Sequence, residues 1–448
     1  MLELINISYN KEYLELAQAF IPDLGRSEEK LTLERKNNIV HGKLGTFKDQ
    51  LSIEPFFGQE KTDLKRLIYK FLSKYTEKDL AWGILVGVNP LKLVRRLIRE
   101  HGLNKAKIIL SQGYFLSEEK INLALDVIKN QEPLVEKLRA KAHVYVDIPF
   151  CPSKCHYCSY PTYLMDQDKM AAYTQGVIEE LEIFFQNTNK KISTIYIGGG
   201  TPSALGRENL EKIIKKLETY IRDPEEFTVE IGRPDTINRD LLLMLKDHQV
   251  SRISINPQSM NDQTLKNIGR NHQAVDIERT YKLARDLGFD NINMDLIMGL
   301  PGEGPEDFKE SLDRLRILDP ASISIHSLTL KKGSELQEGA YKEAGDLAFA
   351  QVRKDFMENS AYLPYYLYRQ KYIYLNLENI GFCKRGREGL YNIAMMEDLG
   401  PVLAFGLGAS SKIIKDHGLK RLMNPRRLKD YLAQTQASGL KKIKIFGE

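Results

Sequence analysis

The chain has 448 residues, which is enough for two or three domains with ample buried cores. Its formal net charge of +5 is small, whereas a nucleic-acid-binding protein is expected to carry a concentrated basic face. No apolar run approaches the roughly 18 residues of a membrane span, and the N-terminal stretch MLELINISYNKEYLELAQAF has acidic residues inside its apolar part, which excludes a signal peptide. These features predict a cytoplasmic protein without a nucleic-acid partner.

Residues 1–140 are predicted to form an N-terminal accessory domain. The segments SIEPFF and TDLKRLIYKFLSKY indicate mixed α/β content. A further segment, AWGILVGVNPLKLVRRLIREHG, begins with the only tryptophan, Trp82, and continues as a basic amphipathic helix. A solvated basic face over a core stripe is favoured for this helix over a role in ligand binding.

An alternation of strands and helices begins at Val144. The predicted strands are short and rich in β-branched residues, as buried parallel strands are; they are HVYVDIPF, STIYIGGG, EFTVEIG, SRISINP, NINMDLIMGL and ASISIHSL. Segments with apolar residues about 3.6 positions apart lie between them and predict helices. The pattern predicts an α/β fold, an open partial (β/α)6 barrel over residues 141–330, with its active site at the C-terminal strand ends. Residues 331–448 are predicted to be a C-terminal accessory region.

Three of the four cysteines follow the first predicted strand in C-x3-C-x2-C spacing: Cys151, Cys155 and Cys158. Three thiolates in one loop can bind three irons of a cubane cluster and leave the fourth iron open for chemistry. A structural zinc site takes four ligands. His156 could be the fourth, but its place between two of the cysteines makes that coordination geometry tight and disfavours zinc. A disulfide framework is disfavoured, because disulfides suit small secreted domains and this chain is long and poor in cysteine. Cys383, the fourth cysteine, lies far from the other three in sequence. The spacing therefore indicates a [4Fe–4S] cluster in a reducing compartment.

The second predicted strand ends in GGGTP, which contains Gly199, Gly200 and Thr201. Glycines at such a turn let the backbone approach a ligand closely. A three-cysteine loop followed by this glycine loop about forty residues later resembles the radical S-adenosylmethionine (SAM) enzymes. That resemblance implies that SAM binds the open iron through its amino and carboxylate groups. Reductive cleavage of SAM then yields methionine and a 5′-deoxyadenosyl radical, which removes an unactivated hydrogen.

Polar residues mark the later predicted strands. Glu230 lies at the end of the third strand, and Gln258 and Arg270 flank the start of the helix that follows the fourth. Asp295 lies within the apolar fifth strand, where a charge is costly unless it is paired, so it predicts a ligand or a partner. Arg270 by itself is interpreted as a surface residue.

Four segments resemble the oxygen-independent coproporphyrinogen III oxidases and their relatives over roughly residues 140–412: VYVDIPFCPSKCHYCSY, IYIGGGTPSAL, RISINPQSMNDQTLKNIGR and DLIMGLPGE. The long N-terminal region, together with VEIGRPDTI, INPQSM and YYLYRQK, is similar to the N-terminally extended HemZ-type subgroup. The resemblance implies one or two bound SAM molecules, with Tyr160 near the second. It also implies that SAM contacts come from Tyr145, Gly199, Gly200, Thr201, Glu230, Gln258, Arg270 and Asp295.

The resemblance further implies a reaction and its partners. Coproporphyrinogen III would be decarboxylated oxidatively to protoporphyrinogen IX, without oxygen, in haem biosynthesis. A flavodoxin-like or ferredoxin-like protein would supply electrons. The substrate has four carboxylates and needs cationic contacts. The candidates for these contacts are Arg369, Lys371, Lys384, Arg385 and Arg387. The alternative is that these residues are ordinary surface charges.

Two other functions stay open at this point. Some relatives of this family are haem chaperones with an HNxxYW-like motif, but the nearest segment here, GLYNIAMMEDLG, lacks the histidine and the Tyr-Trp pair. Against the oxidase, the SYPTY segment lacks the fourth cysteine of the best-known enzymatic branch. Residues Tyr365, Tyr366 and Tyr368 either line a macrocycle pocket or pack in a core, and Cys383 is either a redox thiol or a buried one. The oxidase is favoured, and the alternatives are a haem-trafficking protein and a radical SAM enzyme with another substrate.

Overall fold

The computed structural model describes the chain except for residues 23, 25–29, 57–58, 88, 140, 189, 332, 339–346, 372, 374–375, 416–417 and 447–448. Two compact units divide the chain. The first comprises Met1–Lys129 and Leu367–Asn379, and the second comprises Asn130–Tyr366 and Ile380–Glu448.

A four-stranded sheet in the order β1-β2-β3-β4 and the helices packed against it form the first unit. Strand β1 runs parallel to β2, and β2, β3 and β4 are joined as antiparallel neighbours. A core of buried leucine, isoleucine and aromatic side chains lies between this sheet and helices α1 and α2. The elements up to the unit boundary, which falls inside α5, are β1 (Leu2–Ile5), α1 (Lys11–Phe20), β2 (Leu31–Lys36), β3 (Ile39–Leu44), β4 (Phe47–Ser52), α2 (Glu60–Thr76), α3 (Leu91–His101), α4 (Leu103–Ile108) and α5 (Glu118–Arg139).

The first unit takes part of its interior from the distant segment 367–379. The indole of fully buried Trp82 donates a hydrogen bond to the Glu378 carboxylate (2.6 Å), which also accepts one from Lys120 (3.0 Å). Arg369 donates to the Leu85 carbonyl oxygen and lies 5.6 Å from the centre of the Trp82 ring. Because these charged groups are paired inside the unit, their burial is tolerated.

An eleven-stranded sheet forms the core of the second unit, in the order β13-β14-β12-β11-β10-β9-β8-β5-β15-β16-β17. Its six central strands, β5 and β8 to β12, are parallel neighbours in chain order. They coincide with the six strands predicted from the sequence, within two residues at each end. The strands are β5 (Ala142–Ile148), β6 (Phe150–Cys151), β7 (Tyr163–Leu164), β8 (Ile192–Gly199), β9 (Glu226–Gly232), β10 (Arg252–Gln258), β11 (Ile292–Met298), β12 (Ser322–Ser327), β13 (Leu363–Tyr368), β14 (Asn379–Cys383), β15 (Val402–Phe405), β16 (Ser410–Lys415) and β17 (Gly418–Met423).

Helices connect the parallel strands, as crossover connections require. Several begin at a side-chain cap: the Asp166 and Asn238 side chains accept from backbone N–H groups of α6 and α8. The helices are α6 (Gln167–Phe185), α7 (Gly206–Tyr220), α8 (Arg239–Asp247), α9 (Asp262–Asn267), α10 (Ala274–Asp286), α11 (Pro305–Leu318), α12 (Glu335–Glu338), α13 (Ala348–Glu358), α14 (Leu390–Glu397), α15 (Leu428–Leu432) and α16 (Thr435–Phe446).

Antiparallel strands extend the sheet on both sides of the parallel part. Strand β14 pairs antiparallel with β12, and on the other side β15, which is parallel to β5, is followed by the antiparallel strands β16 and β17. The two ends of the sheet are therefore different strands that do not pair with each other. The predicted α/β fold with an open barrel is confirmed.

A buried ion pair joins the last helix to the parallel part of the second unit. Lys442 of α16 donates to the Glu180 carboxylate of α6 (2.5 Å), and both side chains are fully buried. Asn424 and Tyr431 also donate to Glu180, at 2.8 Å each, which satisfies the remaining carboxylate lone pairs. Within the described residues, no helix has both the length and the apolar character needed to cross a membrane.

Candidate functional site

The three cysteines of the loop after β5 line one cavity of about 130 Å³. Strand β6 ends at Cys151 and pairs with β7, so the chain between them is closed into a loop. Inside that loop the Cys158 N–H donates to the Cys155 carbonyl oxygen (3.0 Å), which forms a turn that brings these two residues together. The three cysteines predicted as cluster ligands thus line one cavity, and their binding of a cluster stays a prediction.

The thiols surround a cavity and leave space between them. Within the described part of the chain, no three His, Cys, Asp or Glu side chains surround one ion position. The thiolates of a cubane each bind a different iron, so they need to frame a cavity and not to converge on a point. His156, the candidate fourth zinc ligand, uses its Nδ1 atom on the Asn267 carbonyl oxygen (2.9 Å) and is not among the residues that line the cavity.

The glycine loop at the end of β8 forms the opposite wall of the cavity. The Gly200 N–H donates to the Ile148 carbonyl oxygen (2.7 Å), which holds this loop against the end of β5. A Cβ atom on Gly200 would lie 2.8 Å from the Phe150 carbonyl oxygen and 3.0 Å from the Cys151 Sγ atom. Gly199 has a φ of +116°, a conformation that favours glycine. Gly200 therefore lets the glycine loop pack directly against the Phe150 carbonyl oxygen and the Cys151 thiol, where a side chain would not fit.

Burial sets the protonation of these thiols. Burial raises the pKa of the Cys151 thiol to about 11, against the opposing effect of a contact with the Thr201 hydroxyl at 3.3 Å. Burial also raises the pKa of Cys158. The free Cys151 and Cys158 thiols are therefore protonated at neutral pH, and metal binding has to release their protons.

Gln258 and Arg270 complete the cavity wall with polar atoms that lack protein partners. The Gln258 Oε1 atom and the Arg270 Nε atom are buried and have no hydrogen-bond partner among the described residues. Gln258 has a left-handed φ of +69° at a register shift of β10, which is strained for a residue with a side chain. Unsatisfied buried polar atoms and backbone strain are both typical of ligand sites.

Arg270 is fixed on its other side. Its Nη1 atom donates to the Asn256 carbonyl oxygen (2.6 Å) and its Nη2 atom to the Tyr157 hydroxyl (3.3 Å). Burial opposes its charge, but the charges of Tyr157 and Cys155 outweigh burial and raise the pKa of Arg270. The cavity is therefore bordered by a permanent buried cation.

Glu230 also lines the cavity, at the end of β9. Its carboxylate accepts from the Tyr196 hydroxyl (3.1 Å) and from the Asn256 side chain (2.8 Å). Burial and the nearby charge of Asp295 raise the pKa of Glu230 to about 7. Glu230 can therefore both donate and accept a hydrogen bond near neutral pH.

Asp295 does not line the cavity but is linked to it. Its carboxylate accepts from Asn293 (2.7 Å) and lies 3.7 Å from His326. Burial opposes its ionisation, but the hydrogen bonds and charge of His326 lower the pKa of Asp295. A chain of hydrogen bonds leads from Asn293 through Ser254 and Asn256 to Glu230. The sequence argument was that a charge buried in this strand needs a ligand or a partner, and Asp295 has partners in Asn293 and His326.

Tyr145 and Tyr160 contact residues near the cavity but do not line it. The Tyr160 hydroxyl donates to the Asp147 carboxylate, and the Tyr145 ring stacks with those of Tyr196 and Tyr391 at 6.0 and 6.1 Å between centres. Burial and the charge of Glu230 raise the pKa of Asp147 to about 7, although the Tyr160 hydrogen bond opposes this. Neither tyrosine is among the residues that line the cavity.

Several residues at the site were not singled out from the sequence. Arg233, Ser153 and Asn256 line the cavity, and Asp147 and His326 lie in strands beside it. The signal that selected Asp295, a polar residue within a buried strand, applies equally to Asp147 in VYVDIPF and to His326 in SISIHSL.

The candidate substrate contacts fall in both units. Arg369 is 3% exposed and donates to main-chain carbonyl oxygens of the first unit, and Lys371 pairs there with Glu15. In the second unit Lys384 pairs with Asp319 (2.6 Å). None of these residues lines the cysteine cavity, nor do Arg385 and Arg387. Tyr365, Tyr366 and Cys383 are buried.

Comparisons with known proteins identify the family of the chain. A family model described as the radical SAM superfamily matches residues 145–315. The chain is 36% identical over 405 residues to the oxygen-independent coproporphyrinogen-III oxidase-like protein HemZ of Bacillus subtilis (strain 168), covering 86% of this chain and 81% of that protein. It is 34% identical over 191 residues to the heme chaperone HemW of the same organism. That similarity covers 42% of this chain and 50% of HemW.

Among solved structures, coproporphyrinogen III oxidase (HemN) from Escherichia coli matches with a TM-score of 0.55 at 22% identity, over 69% of this chain and 73% of that one. This likeness shows the fold. The radical SAM domain implies a [4Fe–4S] cluster and SAM, and a cavity lined by three cysteines and by glycine backbone fits both. From its similarity over most of its length, the chain belongs to the HemZ-type family of oxygen-independent coproporphyrinogen III oxidase-like proteins within the radical SAM superfamily.

Proposed function

We propose that this protein oxidatively decarboxylates coproporphyrinogen III to protoporphyrinogen IX, using a [4Fe–4S] cluster and SAM. The observation that supports this most directly is a cavity lined by the three cysteines and by the glycine loop. The relatives named as coproporphyrinogen oxidases and oxidase-like proteins supply the substrate class. The bound cluster and SAM would supply a 5′-deoxyadenosyl radical that removes a hydrogen atom.

The residues of the chain hold and orient these groups in the proposed function. Cys151, Cys155 and Cys158 would bind three irons, and the backbone at Gly199 and Gly200, which lines the same cavity, would contact SAM. SAM carries a carboxylate and an amino group, for which a buried guanidinium and an amide oxygen are suitable partners. The unpartnered Arg270 Nε and Gln258 Oε1 atoms on the cavity wall supply one of each, and Thr201 stays in the proposed set through its contact with Cys151.

Three further residues would act behind the wall. Glu230, with a pKa near 7, can accept from or donate to SAM hydroxyl groups, and Asp295 holds it through the Asn293–Ser254–Asn256 chain. Tyr145 and Tyr160 sit beneath the loop near Asp147 and would shape the pocket for SAM, Tyr160 nearer a second molecule. Each propionate loses a β-hydrogen atom, carbon dioxide and one electron, so two vinyl groups require two SAM molecules. An external one-electron donor and an acceptor complete the balance.

An anaerobic assay of the reconstituted protein tests the proposal. It would contain SAM, a chemical reductant and coproporphyrinogen III, and would follow 5′-deoxyadenosine and tetrapyrroles by mass. Substrate-dependent 5′-deoxyadenosine with loss of two carbon dioxide units supports the oxidase. A Cys155→Ala variant should lose the cluster absorbance and all SAM cleavage, whereas Cys383→Ala, which removes a buried thiol far from the loop in sequence, should keep both. Cleavage of SAM by the Cys155→Ala variant would contradict the cluster assignment.

A second candidate function is haem binding and transfer, because several relatives are named heme chaperones. Titration of the protein with haem distinguishes the two. A stoichiometric, Soret-shifted complex together with SAM cleavage that ignores coproporphyrinogen III would favour the chaperone. Weak haem binding with substrate-dependent cleavage would favour the oxidase.

A further inference from the structure

Arg233 is a buried cation in the wall of the cysteine cavity that the proposed SAM and cluster contacts do not include. Only 2% of it is exposed. It follows Gly232, whose φ of +69° turns the chain at the end of β9, and its N–H donates to the Ile231 carbonyl oxygen (2.8 Å). This sharp turn directs the arginine towards the cysteine loop instead of along the sheet.

The guanidinium of Arg233 is bound from two sides. Its Nε and Nη2 atoms donate to the two carboxylate oxygens of Asp235, at 3.0 and 2.7 Å. Its Nη1 atom donates to the hydroxyl (2.8 Å) and the carbonyl oxygen (3.3 Å) of Ser153. A bidentate carboxylate fixes the plane of a guanidinium, so Asp235 determines the direction in which Nη1 points.

Ser153 lies between the first two cysteines of the loop, Cys151 and Cys155. Its hydroxyl accepts from Arg233 and donates to the Gly269 carbonyl oxygen (3.2 Å). One row of hydrogen bonds thus runs from Asp235 through Arg233 and Ser153 to Gly269. It joins the turn after β9, the cysteine loop and the segment after α9, so it ties the cysteine loop to two other parts of the second unit.

We infer that Arg233 is a positioning residue that holds the cysteine loop at Ser153 in the geometry that binds the cluster. Its role is positional because Asp235 neutralises its charge at close range. The inference rests on the proposed cluster and not on the proposed tetrapyrrole substrate. Loops that ligate metals depend on such supporting hydrogen bonds, and their loss typically costs 10-fold to 100-fold in metal affinity.

The test uses the full chain reconstituted with iron and sulfide, and measures the rate of iron loss to a chelator and the EPR spectrum of the reduced cluster. In Arg233→Met, which keeps the length of the side chain and removes its donors, iron loss should be about 10-fold faster. The EPR lines should broaden, because the loop no longer holds one geometry. Arg239→Met, an exposed arginine of the following helix, is the matched control and should behave as the parent. Urea unfolding of each apo variant confirms that it folds.

A double-mutant cycle makes the inference specific. Ser153→Ala removes the hydroxyl and leaves the carbonyl oxygen, so it should accelerate iron loss by a smaller factor, about 3-fold. If Arg233 acts through Ser153, the double variant should accelerate iron loss by less than the product of the two separate factors, although it also loses the hydrogen bond from Ser153 to Gly269. Multiplicative effects of the two substitutions would overturn the inference. Arg233→Lys keeps the charge but not the fork geometry, and full recovery of iron retention by lysine would also overturn it.

The outcomes separate this inference from the proposed function. A parent protein that binds no iron after reconstitution would overturn both. A parent that binds iron, with Arg233→Met matching it in iron loss and EPR spectrum, would overturn the role of Arg233 alone. A parent that cleaves SAM without decarboxylating coproporphyrinogen III would overturn the proposed substrate and leave the role of Arg233 standing.

Discussion

The Cys151 thiol and the Thr201 hydroxyl lie 3.3 Å apart, across the loops that follow β5 and β8. The contact joins the proposed cluster ligand to the glycine loop directly. Hydrogen bonds to cysteine sulfurs are one of the factors that set the reduction potential of an iron–sulfur cluster. A threonine is thus placed to influence the electron affinity of the site.

Replacing Thr201 with valine keeps the side-chain shape and removes the hydroxyl. We expect the cluster to assemble with a more negative midpoint potential, because the Cys151 sulfur loses its hydrogen bond. An EPR-monitored redox titration measures this. Thr219→Val, in which the lost hydroxyl donates to the Lys215 carbonyl oxygen in its own helix (3.0 Å), is the control. An unchanged potential in Thr201→Val would show that the contact does not act on the cluster.

Gly200→Ala should impair cluster assembly. The new Cβ atom would lie 3.0 Å from the Cys151 Sγ atom and 2.8 Å from the Phe150 carbonyl oxygen, so the cysteine loop or the glycine loop has to move. We expect iron content after reconstitution to fall by at least half. Gly87→Ala, where a Cβ atom would meet nothing within 4 Å, should retain full iron content. Equal iron content in the two variants would mean that the loops adapt.

Asp295→Asn tests the hydrogen-bond chain to Glu230. The substitution keeps the shape of the side chain but removes the negative charge of the carboxylate. That carboxylate accepts a hydrogen bond from Asn293 and lies 3.7 Å from His326. We expect SAM affinity to fall about 10-fold, or about 1.4 kcal/mol, with an unchanged cluster spectrum. Isothermal titration of the reconstituted protein with SAM gives the affinity. If Asp295→Asn binds SAM as tightly as Asp313→Asn, an exposed-pair control, Asp295 is not part of the SAM site.

Asp147 gives the second unit a pH-dependent stability. Its pKa rises from 3.8 in the unfolded chain to about 7 in the folded protein, mainly because the carboxyl is buried. Between these values the unfolded chain releases the proton and the folded protein keeps it, so rising pH removes stability. Asp147→Asn should abolish this loss and raise the free energy of unfolding at pH 8 by up to roughly 4 kcal/mol relative to the parent.

Urea unfolding of the apo protein at pH 5 and pH 8 measures that difference. The parent should lose more stability than Asp147→Asn between the two values. A parallel loss in both proteins would show that Asp147 is ionised in the folded state. Asp247→Asn, at the end of the exposed face of α8, serves as the control for a general charge effect.

The buried pair of Lys442 and Glu180 should dominate the stability contributed by the last helix. Lys442→Met would leave the Glu180 carboxylate buried without its cation, at a cost of about 3 to 5 kcal/mol. Lys441→Met removes the same charge from an exposed neighbouring position and should cost less than about 0.5 kcal/mol. Thermal and urea unfolding compare the two. Equal stabilities would mean that Asn424 and Tyr431 suffice for Glu180.

Much of the candidate site follows from sequence because parallel strands bring their C-terminal ends to one edge of a sheet. That rule selected the cysteine loop, the glycine loop, Glu230 and Gln258, whereas Arg270 was selected only by the family resemblance; one cavity contains them all. Six strands were predicted because β-branched runs and helical spacing are local signals. The antiparallel strands at both sheet edges escaped prediction, since their pairing depends on contacts between distant segments.

The residues that the sequence did not reveal act through other residues. Arg233 reaches the site only because Gly232 and Asp235 orient it, and no spacing in the sequence shows that orientation. The chain from Glu230 to Asp295 passes through Ser254, Asn256 and Asn293, whose inward direction depends on the register of β10 and β11. Predicting such links requires knowing how the strands pair, and the composition of each strand is not enough.

The contribution of residues 367–379 to the first unit has a consequence for biosynthesis. The N-terminus of a chain leaves the ribosome first. Trp82 and Lys120 therefore emerge more than 200 residues before Glu378, which accepts hydrogen bonds from both. Arg369, which binds the Leu85 carbonyl oxygen, also arrives late. The first unit therefore cannot complete its interior until most of the second has been synthesised, and the two must mature together instead of one after the other.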